Sequence, residues 1–330
     1  MMRRPGRTKT SLLGVVLIVA LCGATACAPP PPVDGRLPVA ETFDQGLLWA
    51  LSDPFGSPVG ANNWNCRPSV AHPNPVVLAH GTFANMADSW QAISPMLVNA
   101  GHCVFALNYG GDSETSFFNG LKSMATSATG QFGPFVNRVL TTTGAKRVDV
   151  IGHSQGGVMP RYWMRNGDSV CSDGTPKIDH FVGLAPAGGG TTFYGLVKMA
   201  EQFDVDSILA GTCAACGEFL PTSSLLAGLA DPVRQAGQQF GGELQPGVSY
   251  TALTTKYDNV VTPYRRGFLP PPADNVIVQD ICELDHSDHL GMIYDPVVLD
   301  LIRNVLDPAH ASTPTCRWVP PVFGMSYGES

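Results

Sequence analysis

Short apolar runs alternate with stretches of helical spacing along most of the chain. Val76-Val77-Leu78-Ala79 is apolar at every position and stops at His80-Gly81, the pattern of a strand covered on both faces. Ser89 to Asn99 has helical spacing, and Val104-Phe105-Ala106-Leu107 is a second buried strand. A helix over Phe132 to Thr143 sets Phe135, Val139 and Leu140 on one face. Arg147 to Ile151 is a third strand, halted by Gly152, and Gly156 to Arg165 is the helix after it. Phe181 to Leu184, Tyr250 to Thr254 and Val276 to Val278 supply the fourth, fifth and sixth strands. Val297 to Leu306 follows as a helix with Val298, Leu301, Ile302 and Val305 on a shared face. This alternation predicts β-α-β units, and so an α/β fold with a mostly parallel sheet flanked by helices.

Between the fourth and fifth strands, residues 187–247 carry no strand signal and are rich in Gly, Ala and Leu. Tyr194 to Phe203 and Ser223 to Phe240 have the spacing of short amphipathic helices. A connection this long in a compact domain is usually functional, so the segment is read as a helical cap or lid. A purely structural excursion is the alternative.

The 330 residues, 44% of them hydrophobic, suffice for one sizeable domain, placed at residues 40–320 with a short tail at 321–330. The net charge of −7 argues against a nucleic-acid partner, which calls for a clustered basic face. Residues 1–26 have the layout of an export signal: Arg3, Arg4, Arg7 and Lys9, then the apolar run Ser11 to Leu21, then Ala24-Thr25-Ala26. The Arg3-Arg4 pair hints at twin-arginine export. Ala-Thr-Ala-Cys resembles a bacterial lipobox, with Cys27 as the lipidated residue and membrane association through it. The alternative is ordinary cleavage beside an incidental cysteine. The Pro-rich residues 27–39 read as a tether. Export would make the seven later cysteines disulfide candidates, an odd number that leaves one over. No His lies near them in zinc-ligand spacing, so no metal site is expected.

Gly152-His153-Ser154-Gln155-Gly156 follows a strand and precedes a helix. That is the context of a nucleophile elbow, in which a tight turn lifts a serine hydroxyl clear of the backbone. A serine needs a base, and the base needs an acid to hold its tautomer. On such an elbow they follow in the order acid, then histidine. Asp258, just past the fifth strand, is the candidate acid, preferred over Asp274. His289, leading into the last helix, is the candidate base. His286 reads as a solvated loop histidine, and His180 and His310 are badly placed. Asp280, Glu283, Asp285 and Asp288 read as a solvated acidic loop rather than a calcium site. Oxyanion donors are expected from the N–H of Gln155 and from Thr82, whose hydroxyl adds a further donor.

His80-Gly81-Thr82-Phe83, Gly152-His153-Ser154-Gln155-Gly156-Gly157, Tyr257-Asp258-Asn259-Val260-Val261-Thr262-Pro263 and Asp288-His289-Leu290-Gly291 together resemble the class 2 lipases. These are secreted bacterial enzymes of the α/β-hydrolase superfamily, similar to the fungal lipase-B type. The resemblance runs from about Asn63 to Cys316. It implies an α/β-hydrolase fold and a Ser154–His289–Asp258 triad acting on carboxylic esters without a cofactor. It also implies disulfides Cys66–Cys103 and Cys282–Cys316, with Cys213–Cys216 as a third and Cys171 left over.

The expectation is therefore a secreted or envelope-attached lipase or carboxylesterase, monomeric, cleaving lipid esters through an acyl-enzyme on Ser154. The rivals are an acyltransferase using the same intermediate and a non-catalytic lipid-binding envelope protein.

Overall fold

The computed structural model describes residues 27–113, 115–191, 213–219, 223–230 and 244–322. The export signal, the Tyr194 to Phe203 helix and the last residues of the tail lie outside these. Among the described residues, six strands form one sheet: β1 Val76–Ala79, β2 Val104–Leu107, β3 Val148–His153, β4 Ile178–Leu184, β5 Ser249–Thr254 and β6 Asp274–Ile277. Every neighbouring pair is parallel, in the order β2-β1-β3-β4-β5-β6.

Strands β1 to β3 are buried at every position; β1 and β2 are the unbroken apolar runs that helices on both faces require, and β3 buries Asp149 and His153 as well. Alternate residues divide between two cores. Val77, Phe105, Val150, Phe181 and Ala252 face one side. That side is covered by α4 (Met124–Ser127), α5 (Gly133–Thr143) and α6 (Met159–Asn166). Val76, Leu78, Val104, Ile151, Val182 and Leu253 face the other. There they meet α1 (Phe43–Ser52), α3 (Ile93–Asn99), α9 (Val278–Ile281) and α10 (Pro296–Leu306).

The expected helix at 89–99 is two pieces, α2 (Met86–Ser89) and α3, with Trp90 and Gln91 buried between them. The α5 helix is entered through α4 and a π turn at Ala128–Phe132, so the helical stretch starts earlier than its spacing suggested. Asp274 is the first residue of β6, not a loop residue.

The described parts of the insertion are fastened to the core. They include α7 (Ala214–Glu218) and α8 (Ser224–Ala230). The Glu218 carboxylate accepts from Ser123 Oγ at 2.6 Å and from the Met124 N–H at 2.7 Å. Phe219, Leu226 and Leu229 join the same core as β3 and β4. Disulfides join Cys66 to Cys103, Cys213 to Cys216 and Cys282 to Cys316; Cys171 is free. The first closes a loop of sequence separation 37. A loop of that length is worth about 3–4 kcal/mol in the chain-entropy account. Cys27 is buried. No helix among the described residues is long and apolar enough to cross a membrane.

Strand order reverses between β1 and β3, so the connections leaving their C-terminal ends diverge to opposite sides and open a crevice. His80 follows β1 and Ser154 follows β3, both at that crevice.

Candidate active site

Ser154 stands at the C-terminal end of β3 with φ +55°, in the left-handed region that a non-glycine residue occupies only when its surroundings impose it. The imposition comes from both sides. A Cβ on Gly152 would collide with the Gly156 carbonyl oxygen, and one on Gly156 with the Ala79 carbonyl oxygen of β1. A single 3-10 turn, Ser154–Gly157, then leads toward α6. The tight passage from strand to helix thus requires glycine at both flanking positions and leaves Ser154 at the rim, 8% exposed.

β5 delivers Asp258. Its Oδ1 accepts the N–H groups of Val260 (2.9 Å) and Val261 (2.7 Å). Its Oδ2 lies 3.0 Å from Nδ1 of His289. Both side chains are almost fully buried. A carboxylate oxygen accepts here, so the contact calls for a proton on His289 Nδ1. The segment bearing His289 is laced to the β5 loop: Thr255 Oγ1 donates to the Ser287 carbonyl at 2.6 Å, and Gln279 Nε2 donates to Thr255 Oγ1 at 2.9 Å. Asp288 Oδ1 accepts the Gly291 N–H at 2.9 Å, fixing the turn past the histidine. The imidazole of His289 lies 4.7 Å, centre to centre, from that of His153, the residue before Ser154. The His289–Asp258 pair is thus brought to the C-terminal end of the sheet, against the residue that precedes Ser154.

The loop after β1 completes the site. A Cβ on Gly81 would sit 3.2 Å from Ser154 Cβ, so this loop runs directly against the serine. His80 is fully buried, stacked on Tyr109 at 4.4 Å, and burial pushes its imidazole down to about 4. Its Nδ1 donates to the Gly81 carbonyl at 2.7 Å, and its Nε2 accepts the Tyr109 N–H at 3.4 Å. Fixing that carbonyl fixes the plane of the 81–82 peptide, and in a trans peptide the Thr82 N–H points the opposite way. Phe83 and Ala84 are held by Asn119, through Phe83 N–H to Asn119 O at 2.9 Å and Asn119 N–H to Ala84 O at 3.1 Å. The Thr82 hydroxyl donates to Gln155 Oε1 at 3.2 Å, so its proton is already engaged.

The remaining candidates lie elsewhere. His286 is half-buried rather than solvated, stacked on Tyr257 at 4.6 Å. The acidic run splits. Asp280 and Glu283 are exposed, with Asp280 paired to Lys256 at 2.8 Å, but Asp285 and Asp288 are fully buried, contrary to a solvated loop. Their periodicity along the chain is that of a surface loop. Only the packing of the 285–295 segment beneath the site takes them out of water. Among the described residues, the group that does cluster is Asp149, Asp179 and His180, whose ligand atoms lie within 4.8 Å of one another. It sits at the N-terminal ends of β3 and β4, away from Ser154, and Arg147 (2.6 Å) and Asn74 (2.8 Å) hold Asp179 there. The contributions of His80, Tyr109, Asn119 and His153 carried no signal in the sequence beyond two histidines inside the motifs.

A parallel sheet bearing a serine on a strained strand-to-helix turn, with an enclosed imidazole–carboxylate pair beside it, defines the α/β-hydrolase class. The chain belongs to the class 2 lipase family: the model described as Lipase (class 2) matches residues 73–262, more than half of its length. It is 38% identical over 93 residues to a triacylglycerol lipase of Pseudarthrobacter phenanthrenivorans, covering 27% of this chain and 27% of that protein. A triacylglycerol lipase of Burkholderia plantarii matches equally, over 27% of this chain and 24% of its own. The match thus spans about a quarter of these relatives. Among solved structures, Aspergillus fumigatus lipase B has a TM-score of 0.57 at 15% identity, covering 95% of this chain and 64% of that one. The mature form of Bacillus licheniformis lipase BlEst2 has a TM-score of 0.52 at 13% identity, covering 73% of this chain and 94% of its own. Both share the fold.

Proposed function

We propose that this protein is an exported carboxylic ester hydrolase that cleaves lipid esters through an acyl-enzyme on Ser154. The observation that carries the proposal is the buried His289–Asp258 pair, 3.0 Å apart, beside a serine in a left-handed backbone. Ser154 Oγ attacks the ester carbonyl while His289 Nε2 takes its proton. The carbonyl oxygen, now negative, is held by the N–H groups of Thr82 and Gln155. His289 returns the proton to the leaving alkoxide, and the alcohol departs. Water, deprotonated by the same nitrogen, then attacks the acyl carbonyl, Ser154 regains its proton, and the carboxylic acid leaves. Asp258 accepts from Nδ1 of His289 throughout and stabilises the imidazolium in both halves.

Lipid esters are favoured because the similar curated proteins are named triacylglycerol lipases. Export is supported by the layout of residues 1–26 and by three disulfides, which persist in an oxidising compartment. The test is hydrolysis of p-nitrophenyl esters from short to long acyl chains by wild type and Ser154→Ala. The expected result is turnover by wild type and a loss of roughly 10⁴-fold or more in the variant. Turnover that survives the substitution refutes the mechanism, and activity confined to the shortest chains refutes the lipid substrate.

A further inference from the structure

We propose that His153 is a positioning residue, a neutral hydrogen-bond donor that clamps the main chain of His289 to the nucleophile strand. The inference rests on the hydrolase reading above for its catalytic consequence.

His153 ends β3 and is 3% exposed. Its Nε2 lies 2.8 Å from the carbonyl oxygen of His289, a contact across 136 residues of sequence. A carbonyl only accepts, so Nε2 carries the proton. Burial holds the imidazole well below its ordinary range, with the His289 ring adding to the effect, so the ring is neutral and Nδ1 keeps its lone pair. That nitrogen faces the β1 loop, 3.3 Å from where a Cβ on Gly81 would stand.

His289 is therefore gripped at two points from two strands. Asp258, beyond β5, holds the ring, and His153, on β3, holds the backbone. Ring and backbone together fix where Nε2 of His289 points, and an ångström of misplacement at a reacting centre costs on the order of 10²-fold in rate. Neutrality is part of the role. An imidazolium forms at 289 during each half-reaction, and a charged ring 4.7 Å away would oppose it. An apolar residue would fill the same volume, and burying an imidazole is costly unless its hydrogen bond is used.

Two experiments test the clamp. In wild type, ¹⁵N NMR of the histidines reads the tautomer directly. The resonance of His153 is expected to show a neutral ring protonated at Nε2, with no titration between pH 5 and 9. In the second, His153→Phe keeps a ring and removes the donor, while His153→Gln returns an N–H at similar reach. On a soluble short-chain ester, His153→Phe should lower kcat roughly 10- to 100-fold with KM within about two-fold, and His153→Gln should recover most of that loss. A titrating or Nδ1-protonated ring overturns the proposal. So does a phenylalanine variant within two-fold of wild-type kcat, or a glutamine variant no better than phenylalanine. A fluorophosphonate control separates the two readings: wild type that fails to react refutes the hydrolase assignment, while the tautomer still reports on the clamp.

Discussion

Asp258 answers to three donors at once. Two backbone N–H groups bind one oxygen and close the turn at Asn259, and His289 binds the other. From sequence, a turn-forming aspartate and a catalytic one look like rival readings of the same residue. Here the turn is what aims the carboxylate at His289, so the two readings are compatible. Asp258→Asn keeps an acceptor for the turn but can present an amide N–H to Nδ1, forcing His289 into the wrong tautomer. The expected outcome is a fall in kcat of roughly 10⁴-fold with little change in melting temperature. A variant keeping more than a tenth of wild-type kcat would contradict the role. The strained turn at Ser154 and the pairing of Asp258 with His289 were legible because the serine motif follows a recognisable strand and the acid precedes the histidine in the expected chain order. His80 and His153 were not, because their partners are set by tertiary contact: one neutral ring orders the 81–82 peptide, the other reaches His289.

The segment from Asp285 to α10 shows why local pattern fails at loops. Read along the chain it is a run of acids, yet Asp285, Ser287, Asp288 and Asp295 are all buried beneath the site. Asp295 caps α10 through the Val297 N–H at 2.7 Å and accepts from Ser287 Oγ at 2.6 Å. Burial, reinforced by the neighbouring Asp285, pushes its carboxyl up to about 8. Asp88, beside Tyr294 on the same segment, is pushed up to about 7 by burial. A folded-state value raised above the unfolded one means the native state binds the extra proton. Its stabilising share is complete below the unfolded value and is lost as pH rises through the folded one. Melting temperature should therefore fall between pH 5 and pH 9. Asp295→Asn, neutral throughout and still able to cap α10, should shrink that fall by about several degrees, with Asp88 accounting for part of the remainder. An unchanged pH slope in calorimetry would place the buried proton elsewhere.

At the scale of the molecule, β1 and β2 were readable because burial on both faces demands unbroken apolar runs, and both consist of them, while β3 to β6 were readable from shorter apolar stretches. Strand order was not readable, and it matters most. The reversal between β1 and β3 opens the crevice at which Ser154 and the His80-Gly81 loop lie. The α1 helix escaped notice, as did the fastening of α7 by Glu218, because both depend on partners remote in sequence. The whole architecture converges on one claim, that a single serine is made nucleophilic by its neighbours. The direct measurement is reaction of the folded protein with a fluorophosphonate probe, followed by intact mass and peptide mapping. The account predicts one adduct per chain, on Ser154, abolished by denaturation and by Ser154→Ala. An adduct mapped to another residue, or one that persists in the alanine variant, would contradict it.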